Sequence, residues 1–352
     1  MIRKPRSTPQ DEFGKSDASQ ISNTSINTCL FKKTIIWFAR LTSIGLVAAL
    51  AQIAHRMSQA STVSDPTHGA PLELPTDQQI LETSVETSDG AQLRVYIVGN
   101  GPAVILVHGM AADHRVWGPV SSRLTAHGLQ AILYDHRGHL SSTLGTTEIS
   151  ADRLGDDLND LIAALSLSNV VLVGHSVGSI AIEAFLARHP ESAKKKVAAA
   201  LLCATDIRAK KWHDPIAEKI IAGIIGSPVI ESMLRRPKLG QFMFTGVGGP
   251  LQPTSHILAG IETFLSAPGS VRKAMVHVTQ TSYVEDLQNC QVPITVAIGE
   301  NDNFVPPFGA KALADAIPNA KFEIISNAGH VVELEAPDEL AKLILDLRTL
   351  NL

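Results

Sequence analysis

Cysteine is scarce: Cys29, Cys203 and Cys290 are the three in a chain of 352 residues. Three thiols make no disulfide framework, which excludes the small stapled scaffolds. At most one bridge, Cys203 to Cys290, is open to this chain outside the cytoplasm, and Cys203 lies in an apolar run that reads as a buried small side chain. Aromatic residues are 5% of the chain and charged residues 18%. An excess of positive charge is also missing: 30 Lys and Arg face 34 Asp and Glu, a formal net charge of −4. No basic field therefore draws nucleic acid, and there is no zinc-finger spacing, RNP-like aromatic motif or phosphate loop. Nucleic acid is not an expected partner, and the sequence names no cofactor or metal. Aliphatic residues are what the chain has in quantity. A hydrophobic content of 45% excludes a disordered chain and supplies a large core.

The N-terminus reads as a separate piece. Residues 1–33 are polar, rich in Ser, Thr, Asn and Gln and without apolar periodicity, and are expected to be disordered. An apolar stretch of 21 residues comes next at 34–54, interrupted by Arg40; its uncharged part, Leu41 to Ala54, is 14 residues. The longer span matches a bilayer core and the shorter one a signal-peptide core. Arg40 costs about 2.5 to 3.5 kcal/mol at a bilayer centre and less where it can snorkel to an edge. Arg3, Lys4, Arg6, Lys15, Lys32 and Lys33 all precede the stretch, which holds the N-terminus in the cytoplasm and sends the remainder across. Ala51 and Ala60 offer cleavage positions, with Ala49 and Ser58 two residues earlier. Residues 34–54 thus read as a signal anchor or a cleaved signal, with a helix packed on the soluble domain as the alternative. Residues 55–78, with Pro66, Pro71 and Pro75, read as a linker.

From residue 79 to 352 the pattern changes. A hairpin is expected from Leu81–Thr87 and Gln92–Val98, turning at Ser88-Asp89-Gly90. Near-continuous apolar runs lie beyond it at Ala103–Val107, Ala131–Tyr134, Val170–Val173, Val197–Leu202, Ile294–Ile298 and Phe322–Ile325. Such runs suit strands covered on both faces, hence a mostly parallel sheet. Leu154, Leu158, Leu161, Ile162 and Leu165 form a helical stripe opened by Ser150, and similar stripes run through Ile180–Leu186 and Leu340–Leu347. Strands alternating with helices predict an α/β, doubly wound architecture. About residues 206–289 the alternation stops and helical patterns take over; too long for a connection, this segment is expected to be a helical cap.

Gly174-His175-Ser176-Val177-Gly178 joins a predicted strand to a predicted helix. A serine displayed on so tight a turn takes a strained backbone, and side chains two positions to either side would collide, hence Gly174 and Gly178. Its hydroxyl is a poor nucleophile unless a base and an orienting carboxylate stand beside it. Of 13 histidines, His330 in Asn327-Ala328-Gly329-His330 comes after the last strand, on the same sheet edge as Ser176. Asp302 comes after the strand before it and is the expected acid, with Glu300 and then Asp206 as rivals. The order Ser, Asp, His suits this arrangement. An oxyanion formed by attack needs amide donors, each worth about 3 to 4 kcal/mol. The amides of Val177 and Met110, the latter in His108-Gly109-Met110, are the expected pair, with Ala111 as a substitute.

His108-Gly109-Met110, Asp135-His136-Arg137-Gly138-His139, Gly174–Ser179, Gly299–Asp302 and Gly329-His330 with Glu335 and Pro337 together give a chain that, from about Leu81 to Leu350, resembles the α/β-hydrolase superfamily in its cap-bearing esterase, lipase and haloperoxidase-like branch. The resemblance implies that Asp135–His139 is structural. Leu140 and Ser179 stand where glycine is frequent in the family, two departures that bear on the pocket floor. A serine at 176 argues against the dehalogenases and epoxide hydrolases of this fold, which carry aspartate there. The expected activity is hydrolysis of a carboxylic ester, apolar or acyl-chain in character, through an acyl-enzyme, with lactonase, thioesterase, C–C hydrolase and perhydrolase activities as alternatives and a non-catalytic binding module as a reading from another class. Phe242, Met243, Phe244, Ile257, Leu258 and Phe264 of the cap favour an apolar substrate. The expected partners are a small-molecule ester and, through residues 34–54, a membrane.

Overall fold

The structure, a computed structural model, describes residues 55, 64–76, 78–207, 215–245, 248 and 252–349. The tail 1–33 and the apolar stretch 34–54 lie outside the described residues. The chain divides into two compact units, residues 1–52 and 53–352, and the described residues all belong to the second. Among the described residues no helix is long and apolar enough to cross a membrane.

Eight strands, β1 (Ile80–Glu86), β2 (Gln92–Val98), β3 (Ala103–Val107), β4 (Gln130–Tyr134), β5 (Val170–His175), β6 (Val197–Cys203), β7 (Ile294–Gly299) and β8 (Lys321–Ile325), form one sheet ordered β1-β2-β4-β3-β5-β6-β7-β8. β2 runs antiparallel to β1 and β4, and all other neighbours are parallel. The flanking helices are α1 (Gly118–Ala126), α2 (Ala151–Ala164), α3 (Val177–Arg188) and α4 (Pro190–Lys196). After β7 come α10 (Pro307–Ala316), the short α11 (Val332–Glu335) and α12 (Pro337–Thr349), and five further helices, described below, precede β7.

The central strands are apolar throughout because both of their faces are covered. Ile105, Val107 and Leu172 pack with Leu154, Leu158 and Leu161 of α2 and Ile180 and Phe185 of α3. Their alternating neighbours Val104, Leu106, Val171 and Val173 face the other way, onto Val120 and Leu124 of α1 and Leu340, Ile344 and Leu347 of α12. Burying each such Leu or Ile contributes about 1.5 to 3 kcal/mol. Ser150 caps α2 as expected, its hydroxyl accepting from Arg153 N–H at 3.1 Å. Gly155 lets α2 close on α3: a Cβ there would lie 2.7 Å from Ala184 Cβ.

Between β6 and β7 lie α5 (Pro215–Ile225), α6 (Pro228–Leu234), α7 (Pro237–Phe244), α8 (Thr254–Ser266) and α9 (Gly269–Val278). They have a small core of their own, Leu234, Ile257 and Ile261 ringed by Met243, Phe244 and Phe264, whereas Leu258 stays exposed. The buried Arg272 ties these helices together, donating to Ile225 O at 3.0 Å and Phe264 O at 3.1 Å and pairing with Glu231 at 2.5 Å. Several of the cap's apolar residues are therefore spent on its own packing.

The segment expected as a linker is fastened at its C-terminal end. Asp65 accepts from Ser255 Oγ at 2.6 Å and lies 3.1 Å from His256 Nε2, so it holds the start of α8. Glu73 crosses Gly118 so closely that a Cβ would meet Glu73 O at 2.1 Å, and Leu72 and Leu74 pack onto the α1–α12 core. Residues 65–74 form a strap from the cap to α1.

Asp135–His139 is structural. The fully buried Arg137 reaches Asp157 of α2 at 2.6 and 2.7 Å and Asp89 of the β1–β2 turn at 2.8 and 2.9 Å. Burial raises the Asp157 carboxyl, whereas the Arg137 hydrogen bonds hold Asp89 well below the usual carboxylate range. The turn expected at Ser88-Asp89-Gly90 is thus also an anchor, with Gly90 at φ +84°. Replacing Arg137 by Leu would leave Asp89 without its cation and the buried Asp157 with Arg153 alone, 3.1 Å away. Arg137→Leu is expected to lower unfolding free energy by about 3 to 5 kcal/mol in urea titration; a loss below about 1 kcal/mol would contradict the reading.

Candidate active site

Ser176 stands where β5 ends and α3 begins, with φ +52° and ψ −114°. Such a backbone is costly for a residue with a side chain and persists only where its surroundings enforce it. The enforcement is visible on both sides. A Cβ on Gly178 would fall 2.2 Å from Val107 O and 2.8 Å from His108 O, and one on Gly174 would fall 2.5 Å from Ser179 N. The Ser176 N–H donates to Cys203 O at 2.8 Å, and the Ser179 hydroxyl lies 2.8 Å from Gly174 O and 3.0 Å from Cys203 O. Serine at 179, one departure from the family pattern, therefore binds the turn to β6. Leu140, the other, has φ +43°, a backbone suited to glycine, and is 42% exposed.

His330 lies in the loop between β8 and α11, and Asp302 in the loop after β7. Their contact is direct: His330 Nδ1 is 2.9 Å from Asp302 Oδ2, with both residues buried. The other oxygen, Asp302 Oδ1, accepts the Phe304 and Val305 N–H groups at 2.8 Å each, which fixes the carboxylate in place. With Nδ1 held by a carboxylate, the ring's Nε2 is the atom left to exchange protons. The carbonyl of His330 is gripped by the residue before Ser176, accepting from His175 Nε2–H at 2.8 Å. The elbow and the histidine loop are thereby brought together. The rivals for the acid are elsewhere: Glu300 accepts Asn327 N–H at 3.2 Å, and Asp206 lies beside Gly309.

The turn after β3 carries Met110 and Ala111. Ala112 N–H, not the amide of either, closes it on Gly109 O at 3.3 Å. Ala111 has φ +52°. Val177 is the first residue of α3, so its N–H has no helical acceptor. His108 braces this loop. Its Nε2 accepts His136 N–H at 3.0 Å, so the proton sits on Nδ1 and is donated to Gly109 O at 2.9 Å. His136 Nε2–H returns a bond to His108 O at 3.0 Å. Burial lowers the basicity of the set: His108 falls well below the ordinary value, His136 to about 3 and His139 also downward. These imidazoles are neutral structural groups. One cluster among the described residues has metal-ligand chemistry, Asp113, His114 and Asp135, and protein donors fill it. Asp113 pairs with Arg115 at 2.9 Å, and Asp135 accepts both His114 N–H and Nδ1–H at 2.9 Å.

Two neighbours of His330 went unmarked in the sequence. Phe304 stacks obliquely on its ring, centroids 5.3 Å apart, and is 62% exposed. Glu333, fully buried on α11, stands 3.2 Å from His175 Nδ1. A glutamate three residues past a loop histidine has no sequence pattern to mark it.

The sequence profile of the Alpha/beta hydrolase family matches residues 104–343. The chain belongs to that family, and it is an enzyme of the α/β-hydrolase class. It is 26% identical over 273 residues to a non-heme chloroperoxidase of Kitasatospora aureofaciens, covering 74% of this chain and 96% of the relative. It is 25% identical over 261 residues to a pimeloyl-[acyl-carrier protein] methyl ester esterase of Xanthomonas campestris, covering 72% and 97%. Among solved structures it is similar in fold to an esterase from Exiguobacterium antarcticum, with a TM-score of 0.67 at 19% identity, over 76% of this chain and all of the other.

Proposed function

We propose that the chain is a serine hydrolase that cleaves a carboxylic ester through an acyl-enzyme. The observation that carries this is the strained Ser176 on its glycine-flanked turn, with the His330–Asp302 pair fastened to that turn through His175. Ser176 attacks the carbonyl carbon while His330 takes its proton. Asp302 orients the imidazole and stabilises it once charged. The amides of Val177 and Met110 receive the developing oxyanion. His330 then protonates the leaving alcohol, and water, deprotonated by the same base, releases the acid and regenerates Ser176. Phe304 beside His330 favours an apolar acyl group. The methyl ester esterase relative supports the ester chemistry. The chloroperoxidase relative favours one variant, in which hydrogen peroxide replaces water on the same acyl-enzyme and a peracid leaves.

Purified protein is expected to release p-nitrophenol from short- and medium-chain esters, and Ser176→Ala to lower kcat by at least about 10³-fold with the fold intact. Adding peroxide to the same assay tests for peracid. Absence of turnover across the whole ester panel would sink the proposal.

The placement of the protein is a second element of the proposal. Residues 34–54, preceded by six basic residues, anchor the chain with the hydrolase domain on the extracytoplasmic side, or direct its secretion if they are cleaved. The full chain expressed in cells is expected in the carbonate-resistant membrane fraction, or shortened in the medium; an intact chain recovered wholly in the soluble cell fraction would contradict this.

A further inference from the structure

His175 and Glu333 form a buried pair that the reaction scheme does not use. His175 Nε2 donates its proton to His330 O at 2.8 Å, so a neutral His175 presents a bare lone pair at Nδ1. Burial, with His330 adding to it, lowers His175 to about 3, which keeps the ring neutral. Glu333 Oε1 faces that lone pair at 3.2 Å, and among the described residues no other side chain offers a partner to either atom. A carboxylate there would oppose lone pair to lone pair. A carboxylic acid would donate to Nδ1, needing only a rotation about its soft terminal torsion to align. Burial supplies the acid form, pushing Glu333 up to about 8.

The pair sits where three loops meet. Gly109 lies against the His175 ring, a Cβ there falling 2.7 Å from Nδ1, so the turn carrying Met110 rests on the same imidazole. We infer that Glu333, as a carboxylic acid, is a positioning residue: through His175 it holds the His330 carbonyl, and with it the imidazole, in place for Ser176. Asp302 fixes His330 at its ring and the Glu333–His175 pair fixes it at its backbone. This inference rests on the triad reading of the proposed function.

The arrangement predicts a pH limb. Once Glu333 ionises, the favoured partner of the carboxylate is an Nδ1–H. His175 then shifts its proton from Nε2 to Nδ1, and the Nε2 lone pair confronts His330 O. The other groups facing Glu333 do not replace its proton. Cys203 at the end of β6 is held as a thiol, raised by burial with the Glu333 charge adding to it. Glu335, on the same short helix, accepts Gly329 and Val331 N–H at 3.0 and 3.1 Å. Trp117 and Val120 beside α11 and Leu340 of α12 are packed in one apolar cluster with Val332.

Kinetic and substrate-independent readouts test this on the full chain. In wild type the rate constant kcat is expected to fall as pH rises through about 8. Glu333→Gln keeps a donor at every pH, so it is expected to stay within about twofold of wild type at pH 7 and to retain that rate at alkaline pH. Glu333→Met, similar in size and without a donor, is expected to lose about tenfold in kcat at pH 7 with KM little changed, the effect of one lost buried hydrogen bond. Imidazole 15N shifts of His175 report the Nε2–H tautomer at pH 7 whether or not the protein turns over any ester. Wild-type rates in folded Glu333→Met, an unchanged alkaline fall in Glu333→Gln, or a protonated Nδ1 at pH 7 would each overturn the inference. If Glu333→Met does not fold, Glu333→Gln and the shifts decide it. A wild type that hydrolyses nothing would instead defeat the proposed function and leave the His175 shifts to judge the pair.

Discussion

At Gly178 the first turn of α3 passes so close to the end of β3 that the missing Cβ would sit 2.2 Å from Val107 O. That approach determines the geometry around it. It sets α3 hard against the sheet, forces Ser176 into a positive φ, and lifts its hydroxyl clear of the strand. It also sets the start of the turn after β3 against α3, the same Cβ falling 2.8 Å from His108 O. Parallel strands β3, β5, β6, β7 and β8 then deliver their connecting loops to the same edge, which is why Asp302, after β7, and His330, after β8, arrive there from distant parts of the sequence.

Around this edge the polar groups are buried, and the fold handles them in two ways. Where charge is kept, as in Arg137 with Asp89 and Asp157, opposite charges stand at hydrogen-bond distance and join the hairpin to α2. Where no opposite charge is at hand, the imidazoles are neutral and their tautomers are set by backbone groups. His108 holds Gly109, His136 holds His108, and His175 holds His330. A neutral imidazole offers one donor and one acceptor, and each of these spends its donor on a carbonyl of a loop next to Ser176. The loops around Ser176 are thus tied to one another by hydrogen bonds from neutral groups.

Much of the fold was legible in the chain. Uniform apolar runs such as Val104–Val107 announced strands covered on both faces, and Ser150 marked the start of α2 to the residue. The Ser176 turn was legible because sterics demand glycine at fixed spacing, a local rule. The strap at 65–74 was not, since prolines in a polar segment look the same whether the chain is free or clamped by Asp65 to Ser255. Nor was the Glu333–His175 pair, because a buried glutamate near an apolar run resembles one on a solvent face until the fold places an imidazole opposite it. The apolar cap residues were read toward substrate, yet Ile257, Phe244 and Phe264 are largely occupied with each other.

Covalent acylation of Ser176 is the event on which the proposed chemistry depends. Rapid acid quench of the protein during turnover of a p-nitrophenyl ester, with mass spectrometry of its peptides, observes that step itself. The peptide containing Ser176 is expected to carry the mass of one acyl group, absent in Ser176→Ala. An ester consumed with no acyl adduct, or an adduct on another residue, would contradict the mechanism.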